Sequence, residues 1–259
     1  MTPPRLNAMA RAEPSRSTPR FRQFDFRNFR QIPQLRRLDP HQIRAMEVVA
    51  RILPFRTNNY VIDELIDWTG VPDDPIFTLT FPRREMLLPM HFREIAALLD
   101  SGAGDAAIQA AVRRIRRELN PHPAGQLDAN IPFLSGERMA GMQHKYAETL
   151  LFFPAQGQTC HAYCTFCFRW PQFIGGDLAR FGAGEAGHLI RYLRRHRQIT
   201  DVLFTGGDPM IMQAKVLASY IDPLLKADLP GLMNLRLGTK ALSFWPRRFV
   251  TDGDAGEML

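Results

Sequence analysis

The stretch "QTCHAYCTFCFRWPQF", residues 158–173, contains every cysteine of the chain. Cys160, Cys164 and Cys167 fall within eight residues with the spacing Cys-x₃-Cys-x₂-Cys, and the rest of the sequence contains none. Three thiols cannot pair completely in disulfides, and such close spacing is typical of metal ligands. We therefore expect these thiols to hold one metal centre in a reducing, cytoplasmic environment.

Strand and helix patterns alternate around the cysteines. "TLLFFPA" (149–155), "TDVLFTGG" (200–207) and "LMNLRLG" (232–238) predict strands, and residues 185–198 and 214–227 predict the helices between them. This rhythm is typical of a parallel sheet. Ligands bind at the carboxyl ends of the strands of such sheets, and the cysteines directly follow the first strand.

The first half of the chain predicts an all-helical region. Apolar residues at helical spacing in residues 38–53, 59–70, 90–102 and 104–121 indicate four helices. "VPDDPIFTLTFP" (71–82) and residues 121–143 predict loops, because they are rich in proline or glycine.

We therefore predict three parts: a disordered Arg/Pro-rich tail (1–30), a helical region (31–143) and an α/β domain (144–259). "VTDGDAGEML" (250–259) resembles the start of a further helix. This pattern predicts that the chain is truncated at its C-terminus.

The charge of the chain is concentrated in its tail. Residues 1–37 contain nine arginines and two acids, whereas the remaining residues carry 24 basic and 24 acidic side chains. The tail is typical of a solvated disordered segment, with a nucleic-acid contact or a transit peptide as alternatives. We do not expect the folded part to bind nucleic acid. No apolar run approaches the roughly 18 residues that a membrane span needs.

Three clustered thiolates favour an iron–sulfur cluster. Such clusters usually take four protein thiolates, so three would leave one iron open to a substrate or cofactor. Two alternatives stay open. The first is structural zinc with His161 or His144 as the fourth ligand, although zinc sites usually contain a second cysteine pair. The second is three buried cysteines without a metal.

The motif Cys-x₃-Cys-x-aromatic-Cys, with Phe166 as the aromatic residue, resembles the signature of the radical S-adenosylmethionine (SAM) enzymes. "FTGGDPM" (204–210), one strand later, resembles the glycine motif of that family. The resemblance implies a partial (β/α) TIM-type barrel and a [4Fe–4S] cluster on the three cysteines. It also implies that SAM is bound by residues that include Phe166, Thr205, Gly206, Gly207 and Asp208.

A narrower resemblance is to the lysine 2,3-aminomutase family, over roughly residues 35–259. "HKYAETLLFFPAQGQTCHAYCTFCFR" (144–169) and "LRLGTK" (235–240) are similar to stretches of that family. The resemblance implies that Arg169 binds a substrate carboxylate and that Thr239 and Lys240 lie at the SAM site. It further implies an amino-acid-like substrate and an electron donor such as flavodoxin or ferredoxin, and it is compatible with a homo-oligomer.

The same family binds the phosphate of pyridoxal phosphate (PLP) through Arg-Tyr-x-x-Arg. The matching residues here are Lys145, Tyr146 and Thr149, so one arginine is a lysine and the other is lost. The expected function is SAM cleavage to a 5′-deoxyadenosyl radical that abstracts hydrogen from a substrate. The use of PLP stays open. The rival hypotheses are a structural zinc protein and a degenerate aminomutase relative without PLP chemistry.

Overall fold

The structure, a computed structural model, describes residues 19–120, 129–174 and 181–258. The first eighteen residues of the predicted tail therefore lie outside the described part of the chain. So does residue 259.

Seven α-helices and eight short strands follow one another in the described residues. The helices are α1 (Pro40–Ile52), α2 (Pro75–Thr80), α3 (Pro89–Asp100), α4 (Asp105–Leu119), α5 (Gly187–Arg195), α6 (Ala214–Lys226) and α7 (Ala241–Phe244). The strands are β1 (Gln23–Asp25), β2 (Arg56–Asn58), β3 (Phe133–Leu134), β4 (Glu137–Arg138), β5 (Met142–Gln143), β6 (Thr149–Phe152), β7 (Asp201–Phe204) and β8 (Asn234–Leu237).

Helix α1 begins where the sequence predicts, because its first turn is capped twice. The Asp39 carboxylate accepts a hydrogen bond from the Gln42 amide at 2.9 Å, and the Gln42 side chain accepts one from the Asp39 amide at 3.1 Å. This reciprocal pair satisfies two amides that the helix itself leaves unpaired. The apolar face of α1 packs against α3 and α4 in one hydrophobic cluster, as the helical spacing predicts.

The N-terminal region is not all-helical. Strand β1 pairs antiparallel with β2, with Phe24 opposite Thr57, although residues 23–25 fall in the predicted disordered tail. Phe24 and Phe29 are buried in the hydrophobic cluster of this region, which explains the order of a segment whose composition predicts disorder.

Two further predictions for the N-terminal region were wrong. Residues 59–70 form only a short helical segment, with a π-helical turn at Val61–Leu65, instead of a regular helix. The predicted loop 71–82 contains α2, which the Asp74 carboxylate caps by accepting a hydrogen bond from the Phe77 amide at 2.7 Å. Pro75 occupies the first turn of α2, where a missing amide costs nothing.

The α/β region contains one open sheet with the order β5-β6-β7-β8. Strands β6, β7 and β8 are parallel, and the register places Phe152 beside Phe204 and Phe204 beside Leu237. Helix α5 lies between β6 and β7 in sequence, and α6 lies between β7 and β8. The mixed α/β class is confirmed, and within the described ranges the sheet does not close into a barrel.

The predicted boundary between residues 143 and 144 divides this sheet. Strand β5 lies before the boundary and pairs antiparallel with β6, with Met142 opposite Phe152. A two-residue strand is too short to show a periodic pattern, so the sequence alone gave no sign of it. At the other end of the chain, residues 250–258 form turns and a short 3₁₀ helix at Ala255–Glu257, and no α-helix begins there.

Two hydrophobic clusters meet at the segment that carries the cysteines. The sheet and α5–α6 share one cluster, which includes the fully buried Phe152 and Phe204. A second cluster belongs to the N-terminal region, but it also contains Ala162 from the cysteine segment and Phe244 from α7. None of the helices that the structure describes combines the length and the apolar character needed to cross a bilayer.

Candidate functional site

The cysteine loop (residues 158–169) follows β6 and is held by backbone hydrogen bonds to the N-terminal region. The Tyr163 amide donates to the Arg56 carbonyl at 2.9 Å, and the Thr165 amide donates to the Leu79 carbonyl at 2.8 Å. The Thr165 hydroxyl also donates to the Thr78 carbonyl at 3.0 Å. Strand β2 and helix α2 therefore shape the loop on the side away from the sheet.

Asn58 anchors the loop from inside the protein and is fully buried. Its side-chain amide donates to the carbonyls of His161 and Phe244, both at 3.0 Å, and its side-chain oxygen accepts from the Val61 amide at 3.1 Å. One side chain thus joins β2, the cysteine loop and α7. Sequence analysis missed Asn58, because nothing in a single sequence distinguishes a buried asparagine from the exposed asparagines of turns.

The three cysteines are free thiols and half-buried. Burial raises the pKa of the Cys160 thiol strongly, and the charges of Asp208, Cys167 and Cys164 add to this shift. Burial also raises the pKa of Cys167. The thiols are therefore close enough to influence one another. Within the described ranges, however, no three His, Cys, Asp or Glu side chains converge as the ligands of a metal ion would.

The donor chemistry of the cysteine loop, three free thiols on one short segment, is that of an iron–sulfur site.

The two histidines of the zinc alternative lie in different environments. The buried His161 ring packs edge-on against Phe21, with 5.6 Å between ring centroids, and burial lowers the pKa of His161 to about 4. His144 lies at the other end of the sheet, where its Nδ1 is 2.8 Å from the Tyr192 hydroxyl. Both imidazoles are thus used in packing.

The glycine loop (residues 205–208) follows β7 and packs directly on the cysteine loop. The Asp208 amide donates to the carbonyls of Thr159 at 2.7 Å and Gly157 at 3.0 Å. A side-chain carbon at Gly207 would overlap the backbone of Thr159, and Gly206 has a φ of +143°, which other residues rarely adopt. The two glycines are therefore required by the contact between the loops, a reason that the sequence did not reveal.

Asp208 connects the glycine loop to the residues after β8. One carboxylate oxygen accepts from the Met210 amide at 2.9 Å and from the Thr239 hydroxyl at 2.7 Å, and the other accepts from the Lys240 amide at 2.8 Å. The carboxylate is buried, and burial raises its pKa. Sequence resemblance assigns Asp208 to SAM binding, but the structure shows its oxygens occupied by protein donors.

Lys240, which follows β8, brings a third loop into contact with the cysteine loop and the glycine loop. Its ammonium nitrogen lies 3.1 Å from the Cys164 sulfur and 4.9 Å from the centroid of the Phe166 ring. The Phe166 side chain is 70% exposed, as a residue that contacts a ligand would be. Thr205, at the carboxyl end of β7, donates its amide to the Phe152 carbonyl at 2.9 Å. The structure thus collects these predicted residues at one edge of the sheet.

Arg169 lies just beyond the last cysteine and is half-buried. Its guanidinium carbon is 4.3 Å from the centroid of the buried Phe153 ring, and burial lowers its pKa. Among the described residues no carboxylate pairs with it. A half-buried guanidinium without a carboxylate partner suits a ligand that brings its own anionic group.

Lys145 and Tyr146 lie at the opposite edge of the sheet. They precede β6, and the neighbouring Glu148 carbonyl accepts hydrogen bonds from Thr200 and Asp201 at the amino end of β7. The Lys145 ammonium rests over the ring of Tyr146, 5.6 Å from its centroid. The length of β6 therefore separates both residues from the cysteine loop.

A cleft of about 320 Å³ opens beside the cysteine loop. The loop contributes Cys164, Phe166, Cys167 and Phe168, and the facing wall includes Leu53 and Phe55 from the N-terminal region together with Met86. The cleft is mainly apolar and lies next to two of the three thiols. Clefts of this size accept small molecules.

The chain is similar to several proteins named as lysine 2,3-aminomutases. It is 29% identical over 211 residues to a protein of Aquifex aeolicus named "Putative L-lysine 2,3-aminomutase", which covers 81% of this chain and 44% of that protein. It is 32% identical over 112 residues to the L-lysine 2,3-aminomutase of Bacillus subtilis, covering 43% of this chain and 22% of that protein.

A third relative is the L-lysine 2,3-aminomutase of Haemophilus influenzae, 32% identical over 109 residues, which are 42% of this chain and 30% of that protein. No family model matches the chain. The chain spans less than half the length of these three relatives.

The fold and the site define a mixed α/β protein whose cysteine and glycine loops meet at the carboxyl edge of a parallel sheet. The chain is a distant relative of the lysine 2,3-aminomutases, as its sequence motifs predict.

Proposed function

We propose that this protein is a radical SAM enzyme in which Cys160, Cys164 and Cys167 hold a [4Fe–4S] cluster. The observation that carries the proposal is the convergence of three loops. The loop after β7 bonds to the cysteine loop through Asp208 and Thr159 at 2.7 Å, and the residues after β8 reach it through Lys240 and Cys164 at 3.1 Å. When bound, the cluster would supply the electron that cleaves SAM to methionine and the 5′-deoxyadenosyl radical, which abstracts hydrogen from the substrate.

Different residues of the chain would contribute to SAM binding in different ways. The exposed Phe166 ring offers an apolar face to SAM, and the backbone of Thr205, Gly206 and Gly207 offers polar groups close to the cysteine loop. Asp208 acts through its hydrogen bonds to Thr239 and Lys240, which position the third loop.

Arg169 would bind the carboxylate of an amino-acid-like substrate. A guanidinium can donate two parallel hydrogen bonds to a carboxylate, and no protein acid in the described segments competes for Arg169. The rings of Phe153 and Phe168, 4.3 and 5.4 Å from its guanidinium carbon, keep bulk water from part of the group. An aminomutase reaction, an isomerisation, is the form of this chemistry that the named relatives suggest.

We further propose that the open sheet belongs to a partial (β/α) barrel of the TIM type. Its three parallel strands, with the loops of the proposed site at their carboxyl ends, support this proposal. Residues 31–143 would then form a supporting region, and 144–259 the catalytic domain. A cytoplasmic location and an electron donor such as flavodoxin or ferredoxin agree with this chemistry. A homo-oligomer is also compatible with it.

The test is anaerobic reconstitution of the full chain with iron and sulfide. We expect a brown protein that absorbs near about 400 nm, as iron–sulfur clusters do, and that releases 5′-deoxyadenosine when it is reduced in the presence of SAM. A variant with Cys164→Ala should do neither. A colourless protein that binds one zinc ion would contradict the proposal and support the structural zinc hypothesis.

The second candidate function is that of an aminomutase relative without PLP chemistry. The position of Lys145 and Tyr146, at the edge of the sheet away from the cysteine loop, favours this function. The protein would then cleave SAM as proposed but would not bind PLP through these residues. Incubation with PLP followed by borohydride and mass spectrometry tests this candidate. Stoichiometric labelling of one lysine of this chain would contradict it.

A further inference from the structure

A second cleft of about 450 Å³ adjoins the first through Leu53, Pro54, Phe55 and Tyr163, and it has no part in the proposed function. The β1 turn, the end of α1, the middle of α4 and residues 173–174 form its walls. We call it the arginine cleft, because four arginines line it: Arg27, Arg51, Arg56 and Arg116. Asp25 is the single acid among the described lining residues. The cleft is therefore strongly basic.

Two of these arginines lie against the same aromatic ring, and neither has a counter-ion among the described residues. The guanidinium carbons of Arg27 and Arg51 lie 5.3 and 5.7 Å from the centroid of one ring, that of Phe26. Two like charges on the same ring repel each other, and across the described ranges neither one is in a salt bridge. Asp25 forms no salt bridge with either of them in the described ranges; its carboxylate accepts from the Arg27 amide at 2.8 Å and from the Gln23 side chain at 3.4 Å.

The other two arginines fix the floor of the cleft. Arg56 stacks on Tyr163, with 5.4 Å from its guanidinium carbon to the ring centroid. Arg116 donates to the carbonyls of Ile52 at 2.7 Å and Arg51 at 3.0 Å. Burial lowers the pKa of Arg116 to about 10, which agrees with the lack of a nearby carboxylate.

Elsewhere in the fold, arginines of the same helices are paired with acids. Arg44 on α1 bonds to Glu47 at 3.0 Å, and Arg114 on α4 bonds to Glu94 and Glu118. Acids thus pair with arginines elsewhere on these helices, whereas Asp25 is the single acid among the described residues that line the arginine cleft. A cleft with four arginines and one acid keeps an excess of positive charge, which favours an anion from outside.

We propose that the arginine cleft binds a small molecule that carries a phosphate group. A phosphate is close to a dianion at neutral pH and offers three acceptor oxygens, so it can engage two or more guanidinium groups at once. Phe26, Tyr163 and Phe173 add flat apolar surface for the rest of the ligand. The volume is that of a small-molecule site.

The probe is inorganic pyrophosphate, titrated into the full chain by calorimetry at low salt. We expect saturable binding of one molecule per chain. Arg51→Gln and Arg27→Gln should each raise the dissociation constant about tenfold or more, because each removes a charged hydrogen-bond donor. Arg113→Gln is the matched control, since Arg113 is an exposed arginine on α4 outside the cleft. It should change the dissociation constant less than about twofold.

Three results would overturn the proposal. The first is the absence of saturable pyrophosphate binding. The second is an equal loss of affinity in Arg113→Gln and Arg51→Gln, which would show attraction to net charge without a site. The third is succinate binding as tightly as pyrophosphate, which would show a preference for dicarboxylates. Because the assay needs neither iron nor SAM, its outcome is independent of the proposed radical chemistry.

Discussion

The hydroxyl of Thr239 donates a 2.7 Å hydrogen bond to the carboxylate of Asp208, and this contact joins the loops that follow β7 and β8. The same carboxylate accepts from the Lys240 amide, and Lys240 in turn reaches Cys164. A single buried acid thus controls the position of two of the three loops. Its role can be separated from direct ligand binding by mutation.

Asp208→Ala should lower the free energy of unfolding by about 2–4 kcal/mol, because it leaves the buried donors of Met210, Thr239 and Lys240 without an acceptor. Thr239→Val removes the donor to Asp208 and the acceptor of the Ala241 amide, and it should cost about 1–2 kcal/mol. Urea denaturation of the two single variants and of the double variant Asp208→Ala/Thr239→Val measures these losses of unfolding free energy. The double variant should lose less than the sum of the singles, whereas strict additivity would show that the two side chains are not coupled.

Gly207→Ala should destabilise the protein by about 1–3 kcal/mol, because the added carbon would overlap the backbone of Thr159, which cannot rotate away. Gly184→Ala is the matched control, since no atom lies within 4 Å of a carbon added there. Thermal unfolding of both variants checks the prediction. If Gly207→Ala is as stable as the control, the glycine loop and the cysteine loop are packed less tightly than in the structure.

The unfolding free energy should fall as the pH drops from 6.5 towards 4, because the buried His161 stays neutral when folded. Burial lowers its pKa from 6.5 to about 4, so in this window the unfolded chain binds a proton that the folded chain excludes. Stability from this group is complete above pH 6.5, and about 3 kcal/mol is lost at pH 4 and below.

His161→Phe keeps an aromatic ring in the same pocket. It should reduce the fall of the unfolding free energy between pH 6.5 and pH 4. His41→Phe, at an exposed histidine, should leave the profile unchanged. Denaturant titrations at several pH values between 4 and 7 compare the three proteins. An unchanged slope in His161→Phe would mean that other groups cause the acid sensitivity.

Asn58→Ala should lower the unfolding free energy by about 2–4 kcal/mol, because three buried hydrogen bonds end on this side chain. It should also loosen the cysteine loop, which hydrogen exchange of the Tyr163 and Thr165 amides would detect. Asn234→Ala, on the exposed edge of β8, is the control. Equal exchange in both variants would show that Asn58 does not hold the loop.

The sequence predicted what local pattern determines. The capped start of α1 at Asp39, the three parallel strands and the place of the cysteine and glycine loops at their carboxyl ends follow from spacing and hydrophobic period. The resemblance to a known family identified Phe166, Arg169 and Lys240, which lie around the cysteine loop.

Contacts between residues that are distant in sequence could not be predicted from the sequence pattern. Strand β1 becomes ordered because Phe24 is buried with side chains distant in sequence. The buried role of Asn58 depends on residues more than a hundred positions away. Asp208 was assigned to a ligand, and only the fold shows that its oxygens are used by Met210, Thr239 and Lys240.

The central claim is that three thiols hold one iron–sulfur cluster, and the iron and sulfide content of the reconstituted chain tests it most directly. We expect about four iron and four sulfide per wild-type chain. Cys160→Ala, Cys164→Ala and Cys167→Ala should each lose the cluster, since no other cysteine can replace the missing ligand. A full complement of iron and sulfide in any one of these variants would contradict the account.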